Sequence, residues 1–210
     1  MRNRFFSLLA LVAILVAFTA FTGVTASAQA VSDNVTVEAG VTHVGANANV
    51  GNGLVEVQKV LTQNNKLMFD GTLFLSDNPG TGTGQVISGQ ALLRGYAGKY
   101  VFGAGGVTVG KLVNTNFDTQ TFLNPSIQGG VTVPVGKRVV IEPFVQFDTP
   151  DLRSDNRERS LTFNVTTSIS VNERFGFTSD IGITQTRIDN SFLKNGRGIP
   201  YALGGIYVNF

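Results

Sequence analysis

The chain contains no cysteine and only one histidine, His43. Without thiols there is no disulfide framework, no thiolate metal site and no lipidated N-terminal cysteine. A lone histidine also leaves too few ligands for a zinc site. Charge is scarce, with Asp, Glu, Lys and Arg at 14% of residues, against about 25% in an ordinary soluble domain. Long apolar runs are missing after residue 30, so the mature part holds no membrane-spanning helix. Nor is there a basic surplus. Sixteen basic residues face fourteen acidic ones, and Arg2 and Arg4 lie in the N-terminal leader. The remainder is neutral, which argues against a nucleic-acid partner.

What is present begins with that leader. Arg2 and Arg4 precede an uncharged apolar stretch from Phe5 to Val24, and Ala26-Ser27-Ala28 follows, with Ala28-Gln29-Ala30 as a second choice. This is the order of a cleavable signal peptide over residues 1–28, exporting a single domain at 31–210.

The rest of the chain alternates with period two. Leu161, Phe163, Val165 and Ile169 alternate with Thr162, Asn164, Thr166 and Ser168; Phe175, Phe177, Ile181 and Ile183 alternate with Gly176, Thr178, Asp180 and Gly182. One face is apolar and the other is small, polar or charged, as in a β-strand. Ten strands are expected, at about 34–45, 54–63, 66–75, 85–97, 99–109, 122–135, 138–149, 160–171, 174–188 and 199–210. Their connections alternate in length. Asn64-Asn65, Gly98-Lys99, Gly136-Lys137 and Asn172-Glu173-Arg174 are tight turns, built of residues that tolerate positive φ. The segments 46–53, 76–84, 110–121, 150–159 and 189–198 are expected to be long loops rich in Gly, Asn, Asp, Ser and Pro.

Two architectures use this alternation. A soluble barrel of the lipocalin type buries the apolar face, whereas a transmembrane barrel turns it outward to lipid. Strand length favours the membrane, since about 9–11 tilted residues cross a bilayer. The division of connections into short and long ends favours it as well. So do the mid-strand charges Glu38, Asp70, Arg94, Glu142 and Asp180 on the polar face. The expectation is an all-β, transmembrane, antiparallel up-and-down barrel of ten strands. Eight is the alternative if the 54–75 hairpin is misread. Lys59 breaks the pattern, because it shares a face with Val55, Val57 and Leu61. It must sit near a strand end or be shifted by a bulge.

The chain ends in Phe210, with Val208 and Ile206 alternating before it. This resembles the closing strand of bacterial outer-membrane barrels, most nearly the small OmpA-like and OmpX-like proteins and the broad outer-membrane β-barrel group. Gly204, Ala202 and Tyr207 fit that pattern less well. The resemblance covers residues 31–210. It implies integral outer-membrane localisation, contact with membrane lipid and lipopolysaccharide, recognition of the last strand by the barrel assembly machinery, and a monomer.

Chemistry is sparse. His43 has no nearby nucleophile or carboxylate in a catalytic spacing, so no enzyme and no cofactor are expected. The glycines at 80–84 and 103–106 lack the helix and Gly-Lys-Ser/Thr of nucleotide loops. Asn34-Val-Thr36 and Asn164-Val-Thr166 match glycosylation sequons but fall within strands. The loop at 150–159 offers Arg153, Arg157 and Arg159 to lipopolysaccharide phosphates, or is simply a solvated loop. Glu38, Asp70, Arg94, Glu142 and Asp180 should form a lumenal polar network, with an ion pair between Asp70 and Arg94. A structural or surface-interaction role in the envelope comes first. A narrow passive channel is the alternative, and a barrel enzyme or receptor the third reading.

Overall fold

The period-two alternation becomes a single antiparallel sheet that closes on itself. The structure, a computed structural model, describes residues 33–43, 49–62, 66–78, 84–114, 120–150, 152, 159–187 and 198–210. The expected signal peptide at 1–28, the turn at Asn64-Asn65, Arg153 and Arg157 lie outside the described residues. The strands are β1 (Asn34–His43), β2 (Asn49–Val60), β3 (Leu67–Asn78), β4 (Gly84–Ala97), β5 (Val101–Asn114), β6 (Gln120–Val131), β7 (Val133–Val135), β8 (Val139–Asp148), β9 (Arg159–Ser170), β10 (Phe175–Arg187) and β11 (Ile199–Asn209). Neighbours in sequence pair throughout except β6 and β7, which do not pair with each other but both pair with β8, and β1 pairs with β11. Among the described residues no helix is long and apolar enough to cross a membrane.

β6 and β7 are one strand, so the barrel has ten. On either side of Thr132 the register against β8 is unbroken, running from Gly130↔Phe144 to Val133↔Ile141. That register sets Val131 opposite Pro143. Proline has no backbone N–H to give the ladder, so the formal pairing lapses there. The eight-strand alternative fails at the same time, because β2 and β3 pair from Asn52↔Ser76 to Val60↔Met68.

The barrel is inside out relative to a soluble one. Ile127 and Ile181 on the outer face are 60% and 63% exposed, while Glu38 and Arg94 on the inner face are 2% and 3% exposed. The glycine-rich β5 has a defined outer face of Val101, Gly103, Gly105, Val107 and Val109, with Phe102, Ala104 and Thr108 inside. Lys59 keeps the regular register opposite Phe69, with no bulge. It lies close to the short-turn end and forms an ion pair with Asp33.

The turns are as tight as their residues imply. Gly98 and Gly136 take φ of 75° and 70°, a left-handed conformation that favours glycine. At the β9–β10 turn the Asn172 side-chain oxygen accepts from the backbone N–H of Arg174 and of Phe175, both at 2.9 Å, an Asx turn. The expected long loops are too long at their ends. Residues 49–53, 76–78, 110–114 and 120–121 belong to strands. These polar, Gly- and Asn-containing stretches read as loop from composition alone. They continue the ladder because backbone pairing does not need an apolar outer face.

Candidate functional site

The candidate site is the lumen, and its centre is Arg94. On the inward face of β4, Arg94 has Met68 of β3 opposite on one side and Ala104 of β5 on the other. The small Ala104 leaves room for the long side chain to lie across the sheet, and the bare Gly130 makes room for the Phe102 ring, which a Cβ there would meet at 2.7 Å. Nη2 donates to Asp70 Oδ2 at 2.9 Å and Nη1 to Glu142 Oε1 at 2.5 Å. Nη2 also reaches Gln128 Oε1 at 3.4 Å, and the guanidinium stacks 4.2 Å above the Phe102 ring. Thr132 Oγ1 donates to the other Glu142 oxygen at 2.7 Å. Met68, Leu92 and Phe102 are buried beside this network. The planar fork of arginine suits two carboxylates at once better than a lysine would.

A second cluster forms where the sheet closes. Glu38 of β1 lies opposite Gly205 of β11, and Gly205 lies opposite Thr178 of β10. A Cβ on Gly205 would stand 1.9 Å from the Val37 carbonyl oxygen. The glycine permits this close approach of β1 and β11, and it leaves Glu38 free to reach Thr178 and Asp180 across β11. Thr166 donates to Asp180. Between the two clusters stands Glu56, beside Asp70 and with Gln58 Nε2 donating to it at 2.6 Å.

Two cavities flank the network. One of about 480 Å³ opens between the short turns and is lined by Glu38, Glu56, Glu142 and Asp180 among others. The other, about 390 Å³, lies toward the long-loop end and is lined by Arg94, Asp70, Phe74, Phe144 and Asp148. They share Glu56, Gln58, Glu142, Thr166 and Asp180 as a common wall. The charged layer therefore separates an inner vestibule from an outer one.

All five of Glu38, Asp70, Arg94, Glu142 and Asp180 face inward, and the structure brings Asp70, Arg94 and Glu142 into one ion-paired group. The sequence reading passed over Glu56, Gln128, Phe102 and Asp148. Glu56 was visible in principle, since it alternates with the outward Val55 and Val57. Asp148, which accepts from Ser126 at 2.5 Å and Ser160 at 2.7 Å, sits at the outer end of β8. Away from the turns, Arg94 is the one basic residue on the inward face of the described strands, against six carboxylates. Arg159 begins β9, opposite Arg187 in register; with Arg153 and Arg157 outside the described residues, the three arginines cannot be placed together. His43 ends β1 opposite Asn49. Among the described residues no group of three or more His, Cys, Asp or Glu could hold a metal ion.

No protein-family model matches the sequence, and no curated protein is significantly similar to it. Solved structures are similar in fold. The translocator domain of the autotransporter NalP from Neisseria meningitidis superposes with a TM-score of 0.51 at 10% identity, over 93% of this chain and 92% of that one. An outer membrane channel from Pseudomonas putida F1 gives 0.45 at 12% identity, over 90% and 98%. The KdgM porin gives 0.41 at 12% identity, over 86% and 99%. The fold of this chain is that of a bacterial outer-membrane β-barrel.

Proposed function

We propose that this protein is an integral outer-membrane barrel with a self-plugged lumen, serving a structural or surface-interaction role in the cell envelope. The observation that carries the reading is the burial of the Arg94–Asp70–Glu142 group. The Arg94 side chain is 4% exposed, whereas an arginine lining a water-filled channel would be wet. Small barrels have interiors that side chains can fill. The plugged interior is also why we place the chain beside the small OmpA-like and OmpX-like barrels. The apolar outer face supports contact with membrane lipid. Arg159, together with Arg153 and Arg157, would meet lipopolysaccharide phosphates at the long-loop end, and the outward Ile206, Val208 and Phe210 would present the last strand to the assembly machinery. Export by the leader, action as a monomer and the absence of catalysis complete the proposal.

The test is reconstitution of the full barrel in planar bilayers. A silent bilayer is expected. Discrete conductance steps from the unmodified protein would replace this reading with a narrow channel, which the two facing vestibules would then supply.

A further inference from the structure

The outer vestibule differs from the charged layer beneath it, because its side chains still have surface to offer. Arg94 and Asp70 are buried, whereas Gln90, Thr108, Gln146, Asp148, Ser160 and Thr162 line the cavity half-buried. These groups are held in place by one another. Gln90 Nε2 donates to Thr108 Oγ1 at 2.9 Å, and the Thr108 and Ser126 hydroxyls lie 2.9 Å apart. Ser126 gives its one hydroxyl proton to Asp148 at 2.5 Å, so Thr108 is the donor to Ser126 and the chain runs one way, from Gln90 to Asp148. Ser160 and Gln146 also donate to Asp148, at 2.7 and 3.0 Å. That carboxylate is thus answered from within the protein and needs no cation. Farther round the wall, Thr162 and Thr184 share a hydrogen bond of 3.0 Å. Beside them the Tyr201 ring lies over Gly182, where a Cβ would meet it at 2.5 Å. The ring is laid against the wall with its other face toward the cavity.

We propose that the outer vestibule binds a neutral sugar of one or two rings, its hydroxyls on the belt from Gln90 to Ser160 and the C–H face of a ring on Tyr201. Amides carry donors and an acceptor side by side, and a hydroxyl keeps its lone pairs after giving up its proton. The belt can therefore both donate to and accept from a polyol, whose hydroxyls need both. The electron-rich face of an aromatic ring suits the weakly positive C–H face of a sugar. An apolar solute would leave the belt desolvated and unpaired. An anion finds no free cation, because Arg94 is the one basic residue lining the cavity among the described residues, and it is committed to Asp70 and Glu142. A volume of about 390 Å³ is near the lower end of small-molecule sites, which excludes a long chain of sugars. The proposal goes beyond the plugged-barrel reading and does not depend on it, because the belt and Tyr201 line the vestibule whether or not the layer beneath conducts.

The experiment is a ligand-observed NMR titration of the full chain, folded in lauryldimethylamine oxide, a detergent without a sugar head. D-glucose, D-galactose, D-mannose and maltose are added in separate runs. At least one of them should show saturable binding. Sodium glucuronate and glucosamine hydrochloride, which put a carboxylate or an ammonium on a comparable ring, should bind more weakly than the best neutral sugar. Gln146→Leu and Tyr201→Leu should each weaken that sugar about fivefold or more, as expected for loss of one hydrogen bond or one ring contact. Lys137→Gln, at the mouth of the inner cavity, should leave it unchanged. The faster migration of an unheated folded barrel on a gel confirms that each variant is folded. No saturable binding of any of the four sugars, tighter binding of either charged one, unchanged affinity in both lining variants, or loss of binding in Lys137→Gln would each overturn the site. The first two outcomes need no variant. Conductance tests the plug and this titration tests the vestibule, so either can fail alone.

Discussion

Arg94 on β4 donates to Glu142 on β8 at 2.5 Å, a contact between residues 48 apart in sequence. The strand formed by β6 and β7, and β5 beside it, lie between their strands. The bond is thus a chord across the lumen and not a rung of the ladder. Asp70 holds the same guanidinium from the opposite side at 2.9 Å. One cation ties two distant arcs of the wall together.

Removing that cation should be costly. Arg94→Met keeps much of the side-chain volume but strands Asp70 and Glu142 as buried, unpaired carboxylates. A loss of about 3–5 kcal/mol is expected for breaking a buried pair from one side. Equilibrium unfolding in urea from detergent or lipid vesicles measures it. A change below about 1 kcal/mol would mean the group is far better hydrated than its burial shows.

The Asp70–Arg94 pair should also show coupling. In a double-mutant cycle with Asp70→Asn and Arg94→Met, the interaction energy should lie within about 0.5–3 kcal/mol, the span found for residues in direct contact. Zero coupling would reject the pair as an energetic unit.

Arg94 also holds Glu142 in the wall between the two vestibules. Arg94→Gly should convert a silent barrel into one that gives small conductance steps in a planar bilayer, with Lys59→Leu as a silent control. If Arg94→Gly stays silent while folded, the shared wall of Glu56, Gln58, Glu142, Thr166 and Asp180 closes the lumen without it.

Lys59 itself should matter little. It pairs with Asp33 at the short-turn end, and its side chain is 56% exposed. Such a pair is worth about 0–1 kcal/mol. Lys59→Leu should therefore shift stability by no more than that, whereas a lysine at the bilayer midplane would cost about 2–4 kcal/mol and its removal would be strongly stabilising.

Closure of the barrel should hinge on Gly205. A methyl there meets the Val37 carbonyl oxygen at 1.9 Å, whereas one on the outward Gly105 meets nothing within 4 Å. Gly205→Ala should destabilise by about 1–3 kcal/mol through overpacking, and Gly105→Ala should be close to neutral. Unfolding midpoints of the two variants, compared side by side, decide the matter. Equal midpoints would mean that β1 and β11 can separate without penalty.

Much of this was legible in the amino-acid order, because it is set by local physics. Alternation of Phe163, Val165 and Ile169 with Thr162, Asn164 and Thr166 settles which face each residue takes, since successive side chains on a strand must point to opposite sides. Gly98, Gly136 and Asn172 mark turns because few other residues adopt those backbone angles or cap them. Asp70 and Arg94 could be paired on paper, being on adjacent strands at comparable distances from short turns. Strand ends were not legible: Lys111 and Asn114 belong to β5, yet their composition is that of a loop, and only a paired neighbour shows that the ladder continues. The contacts that define the lumen were further out of reach. Arg94 meets Glu142 across two intervening strands, and Glu38 meets Asp180 only after the first strand has joined the last over the missing side chain of Gly205. Such meetings depend on the curvature and stagger of the closed sheet. Those are properties of all ten strands together and of no single segment.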